Sequence, residues 1–165
     1  MIVLGIDPGT RLVGFAVVEG DAGSRSAKRI LSLTLDCRSS KLKTAEKLRF
    51  ITKRISLKLA ELKHSQYQIN IISLEKTFHG CNPQTTLRLG EVRGAILLTL
   101  ASYNVIDIQA TTVKKLIAGK GNASKDAVRK AALNLIGEPN LEIGYDEADA
   151  IAIALAGLYK AGEQK

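Results

Sequence analysis

Apolar positions along the chain change their period several times, and each change marks an element. Residues 2–6 form a short apolar run that stops at Asp7-Pro8-Gly9-Thr10, a turn sequence. Such a run predicts a buried strand followed by a loop. Residues 12–19 are valine-rich and apolar on both faces, with Gly14 and Ala16 as small members. Residues 29–36 alternate, with Ile30, Leu31, Leu33 and Leu35 set among serine and threonine. The polar stretch 21–28 separates these two segments, so the first three strands are predicted to form a meander.

From 41 to 63 the period lengthens. Leu42, Ala45, Leu48, Ile51 or Thr52, Ile55, Leu59 and Leu62 recur at three- and four-residue steps, with lysines and arginines between them. This predicts an amphipathic helix with one core stripe and a basic outer face. A strand over 69–74 then ends at Glu75, and the breakers Gly80 and Asn82-Pro83 put 76–84 in a loop. Helical spacing returns over 85–102, where Gly90 and Gly94 leave room for another backbone, in the same chain or in a second copy. A fifth strand over 105–109 precedes helices over 111–118, 124–136 and 146–159, with Ser124 as an N-cap. Helices between the late strands predict an α/β fold: a mixed five-stranded sheet, antiparallel at first and parallel later, with helices on both faces. With no repeat or linker, 1–165 is expected to be one domain.

Composition narrows the class. A chain of 165 residues, 45% hydrophobic and 24% charged, can bury roughly 70% of its unfolded surface without staples. Three prolines and 14 glycines argue against a disordered chain and against a fibrous repeat. The apolar run at 150–159 is about half the ~20 residues a membrane span needs. Met1 to Asp7 carries no basic leader. A cytoplasmic protein without membrane association is expected, with Cys37 and Cys81 as reduced thiols outside any zinc or redox spacing.

Charge adds a partner. The net charge is +8, and it sits in two blocks. Residues 38–63 carry nine lysines and arginines against Glu46 and Glu61, and residues 114–130 carry six against Asp126. Acids prevail after 130, and the remainder is balanced. Two basic blocks point to a polyanion, the alternative for each being a solvated helix face. Aromatics at 4% and the lack of tryptophan disfavour a broad base-stacking platform.

Four carboxylates stand at the edges of apolar elements: Asp7 after the first strand, Glu75 after the fourth, and Asp146 and Asp149 on one face at the start of the last helix. If the first and fourth strands are parallel neighbours, Asp7 and Glu75 finish at one sheet edge, where sites form in such sheets. The last helix would then bring Asp146 and Asp149 over that edge. Four clustered carboxylates cannot all stay ionised uncompensated. Two Mg²⁺ ions would compensate them, and a pair of such ions is suited to phosphodiester hydrolysis. Individually, Asp7 could be turn chemistry and the acids at 146–149 could complement a helix dipole. Glu75 beside core is harder to explain that way. His64 and His79 suggest no nucleophilic triad.

Gly5-Ile6-Asp7-Pro8-Gly9-Thr10 and Leu74-Glu75-Lys76-Thr77-Phe78 resemble the opening and central motifs of the RuvC crossover junction endodeoxyribonucleases. Residues 82–95 are similar to that family's central helix, 110–115 and 119–125 to its lysine-bearing segment, and 146–154 to its closing signature. The resemblance implies an RNase H-like fold and a homodimer that makes paired nicks in four-way Holliday junctions with Mg²⁺ or Mn²⁺. It also implies a branch-migration helicase complex as a partner. By position it makes Asp7, Glu75, Asp146 and Asp149 the metal-binding catalytic acids and Phe78 the aromatic that stacks on junction bases. Lys114 and Lys125 become the basic residues near the scissile phosphate. Two alternatives stand beside it: another RNase H-like nuclease with a different substrate, and a junction-binding module whose acids are structural. The Asp-Pro-Gly-Thr turn also resembles the phosphate loop of actin-like sugar kinases, which need more than twice this length.

Overall fold

A computed structural model describes residues 1–38, 43–76 and 82–163. Five strands, β1 (Ile2–Asp7), β2 (Leu12–Glu19), β3 (Lys28–Asp36), β4 (Ile71–Lys76) and β5 (Val105–Gln109), form one sheet in the order β3-β2-β1-β4-β5. β1, β2 and β3 pair antiparallel, whereas β4 pairs parallel with both β1 and β5. The helices are α1 (Thr44–His64), α2 (Pro83–Thr99), α3 (Ala110–Ala118), α4 (Lys125–Leu135) and α5 (Tyr145–Glu163). This is the mixed five-stranded sheet that the changes of period predict.

Several boundaries differ from expectation: β4 lies two residues later at both ends, α5 runs on to Glu163 instead of 159, and both ends of α2 move. Helix α2 begins at Pro83, not at 85, because the Asn82 side chain accepts from the N–H groups of Gln84 and Thr85 and Pro83 fills the first turn. Asn-Pro is thus a helix start here, and the helix stops at Thr99 instead of 102. In α4, Ser124 caps as predicted, its hydroxyl accepting from the Ala127 N–H at 3.2 Å. The expected start of α1 at 41 lies outside the described residues. Its stripe buries Ile51, Ile55, Leu59 and Leu62, while Ala45 is exposed.

Strand alternation divides the core. Leu4, Ile6, Val13, Phe15 and Val17 pack with Ile51, Ile55, Val92 and Ile96 under α1 and α2. On the opposite face Ala16 and Ile108 pack with α3, α4 and α5. Helices therefore cover both faces. Cys37 is a buried free thiol, and Cys81 lies outside the described residues.

Helix α5 is buried continuously from Ala150 to Leu158 and lies directly on β1 and β2. Two glycines make this possible. A Cβ at Gly5 would fall 2.2 Å from the Ala150 carbonyl oxygen, and one at Gly14 would fall 2.0 Å from that of Asp146. Any side chain there would lift the helix from the sheet. Gly90 and Gly94 behave differently: within 4 Å of the position of a Cβ at either there is open space. Of the two contacts their spacing suggests, one with the same chain is excluded among the described residues.

Candidate active site

The parallel pairing of β1 with β4 sets Ile6 beside Leu74, so the next residue of each strand places Asp7 beside Glu75 at one sheet edge. Gly14 pairs with Asp7 across β2 and carries the first turn of α5 on its open face. That contact brings Asp146 and Asp149 to the same edge. A cavity of about 230 Å³ opens there, lined by Asp7, Glu75 and Asp149, by Lys114 and Lys125, and by Ala110, Val113 and Val128. Five of the seven residues singled out in the sequence meet in one place. Asp146 is not on the cavity wall, yet its charge acts on both Asp7 and Asp149. Phe78 lies outside the described residues.

Electrostatics mark the cluster as under-compensated. Burial, then repulsion from Glu75, Asp149 and Asp146, pushes the Asp7 carboxyl up to about 8, with Lys125 only partly opposing. Glu75 is raised by burial and then by Asp149, against Lys125 and Lys114. Asp149 is raised by burial, against Lys125. Burial pulls the Lys125 ammonium down, but Asp149, Asp7 and Asp146 outweigh it and the net shift is upward. Its Nζ lies 3.4 Å from Asp149 Oδ2.

The donor set suits a hard divalent cation: carboxylate oxygens only, partly desolvated and mutually repelling. As placed, no three such side chains among the described residues are drawn together tightly enough to grip one ion. Side-chain rotation toward a shared charge would have to close that gap.

Neighbouring residues that the sequence does not single out hold the two helices carrying these groups. Tyr145 Oη donates to Asp126 Oδ1 at 2.7 Å, and Arg129 lies over the Tyr145 ring at 5.6 Å. Tyr145 precedes Asp146 and Asp126 follows Lys125, so this clasp joins the first turns of α4 and α5 beside the cavity. Ser32 Oγ donates to Glu147 Oε1 at 2.5 Å, and Arg29 donates to Ser32 at 3.3 Å and to Glu138 at 2.7 Å. Glu147 is thereby tied to β3, where its position alone suggested only a helix-dipole role. The signal for it was the polar side of β3's alternation, which needs a partner when a helix covers it.

The family described as "Crossover junction endodeoxyribonuclease RuvC" matches residues 3–157. A protein of that description from Chloroherpeton thalassium is 32% identical over 162 residues, 97% of this chain and 83% of its own. One from Rickettsia prowazekii is 38% identical over 157 residues, 93% of this chain and 94% of its own. Among solved structures, T. thermophilus RuvC in complex with Holliday junction substrate superposes with a TM-score of 0.88 at 25% identity, over 99% of this chain and 96% of that one.

Proposed function

Because this chain belongs to the RuvC family of crossover junction endodeoxyribonucleases, we propose that it resolves Holliday junctions with the cavity at the β1–β4 edge as its active site. It is a hydrolase acting in DNA recombination and repair, and residues 1–165 serve as one RNase H-like nuclease domain. The observation that carries the assignment of the site is the meeting of Asp7, Glu75 and Asp149 with Lys114 and Lys125 around one cavity. The family is divalent-metal-dependent. The finer reading is that Asp7, Glu75, Asp149 and Asp146 hold two Mg²⁺ ions, Mn²⁺ substituting, which supply Lewis-acid chemistry for phosphodiester hydrolysis.

The chain's own residues do the rest. Lys114 and Lys125 neutralise the phosphate that enters the anionic cavity and stabilise charge as it develops. Ala110, Val113 and Val128 form an apolar wall that limits water around these charges. Phe78, three residues beyond Glu75, wedges between bases opened at the crossover, unstacking them at a cost of a few kcal/mol. Incubating the protein and Mg²⁺ with a labelled four-way junction, a plain duplex and single-stranded RNA tests the assignment. Junction cutting by paired, symmetric nicks is expected. Equal cutting of duplex or RNA would favour a different RNase H-like nuclease. Phe78→Ala should slow junction cutting on the order of tenfold while changing junction affinity less than about twofold. Equal loss of both would contradict the wedge.

A four-way junction is approximately two-fold, so a C2 dimer presents two identical sites to opposed strands. We assign the dimer contact to the face of α2 that carries Leu87, Gly90, Gly94 and Leu98. These four fall on one helical stripe, Leu87 and Leu98 are 67% and 80% exposed, and no atom of the described residues lies within 4 Å of a Cβ built at either glycine. Leu98→Glu should convert dimer to monomer at micromolar concentration in sedimentation velocity. A variant that stays dimeric would remove this face from the interface. No described helix is long and apolar enough to cross a membrane, and the proposed setting is the cytoplasm, with a branch-migration helicase complex as partner.

A further inference from the structure

A second cavity, larger than the acidic one, opens on the α1–α2 side of the β1–β2 turn. Its volume is about 430 Å³, and its lining includes Thr10, Arg11, Thr44, Lys47, Arg88 and Glu91. Three separate elements thus contribute one cation each, against a single carboxylate. Arg88 is already engaged, donating to Thr44 Oγ1 and lying 3.7 Å from Glu91 Oε2. Arg11 and Lys47 form no ion pair with any described residue. Hydroxyls of Thr10 and Thr44 stand among these cations. Cations and hydroxyls from several elements around one concavity are the donor set that positions nucleic-acid backbones without reading sequence.

The location gives the cavity its meaning. Thr10 follows Asp7 by three residues, so their Cα atoms are at most about 11 Å apart. We propose that this cavity seats a backbone phosphate of the junction strand near the one being cut, held by Arg11 and Lys47, with Arg88 setting the spacing of α1 against α2. The proposal rests on the nuclease assignment above and deepens it. With one phosphate met by Lys114 and Lys125 at the acidic cavity and another at this one, the path of the strand across the sheet edge is fixed at two points. It also gives one member of the 38–63 basic block a specific task, whereas Lys53, on the exposed part of α1, lies outside the cavity.

Arg11→Gln and Lys47→Gln should each weaken binding of a synthetic four-way junction in chelator, by about three- to tenfold at 0.1 M salt. Each should also make the log–log salt dependence shallower by about one. Lys53→Gln, which removes the same charge from the same helix outside the cavity, should weaken binding by less than about twofold and change the salt slope by well under one. Melting temperatures of the three variants check that folding is intact. Junctions carrying one neutral methylphosphonate linkage, moved stepwise from the cut, locate the phosphate. One position should weaken wild-type binding but cost Lys47→Gln nothing further. If Arg11→Gln and Lys47→Gln behave like Lys53→Gln, or if no linkage shows that coupling, the proposal is overturned. Cleavage by the wild-type protein in the same series separates the two questions: failure to cut the junction would overturn the nuclease assignment, whereas cutting with unchanged variants would overturn only the phosphate seat.

Discussion

Asp7→Asn, Glu75→Gln and Asp146→Asn, each introduced alone, are expected to lower the single-turnover rate of junction cutting by on the order of 10³-fold or more. Binding of the junction in chelator should be preserved. An amide keeps the shape of the carboxyl but loses the charge, so the change reports electrostatics rather than packing. Binding is expected to survive because the proposed phosphate contacts come from basic residues, and removing an anion lessens repulsion of DNA. Asp146 is the informative member of the set: it acts on Asp7 through its charge while lying off the cavity wall. Cutting that persists in all three variants with Mg²⁺ would remove the acidic cluster from the chemistry and favour a module that only binds.

Asp7→Asn should also stabilise the metal-stripped protein, and the gain should grow with pH. Folding raises the Asp7 carboxyl from 3.8 to about 8, chiefly by burial and then by its acidic neighbours. Between those pH values the folded chain retains a proton that the unfolded chain has lost, so wild-type stability falls as pH rises and the penalty is complete above about 8. An undiscounted shift of this size would correspond to about 6 kcal/mol. Solvent at the open rim of the cavity screens part of it, leaving about 3 kcal/mol at pH 8. In a chain of this length that is a rise of about 6–12 °C in melting temperature. Near pH 4 the two proteins should melt together. An equal difference at both pH values, or a lower melting temperature for Asp7→Asn at pH 8, would show that the carboxylates do not strain the fold. Added Mg²⁺ should stabilise the wild type more than the variant, because it binds the folded cluster preferentially.

Much of this organisation is legible in the residues themselves, for definite reasons. Asp7 and Glu75 each end an apolar run, and a charge at the end of a buried strand has few places to go except a site. Asp146 and Asp149 open a helix that then stays apolar on all sides to 158, and the sheet together with α3 and α4 covers it. What periodicity did not reveal is tertiary. Asn82-Pro83 read as a loop because both break helices internally, yet a capping side chain and a first-turn proline start one equally well. The clasp of Tyr145 with Asp126 joins residues 19 apart, a contact that neither segment's own pattern encodes. The cavity around Arg11 and Lys47 draws on three elements, and only the folded chain shows that two members of different segments share one concavity.

The glycine contacts under α5 have a consequence for when the molecule becomes dangerous to DNA. Asp7 is contributed by the first strand and Asp146 and Asp149 by a helix more than a hundred residues later, and backbone touches backbone where they meet. Until that helix seats, the proposed acid cluster cannot assemble. Because α5 is buried from Ala150 to Leu158, it is expected to leave the sheet only when the domain unfolds, so the proposed acid cluster assembles and dissolves with the fold itself.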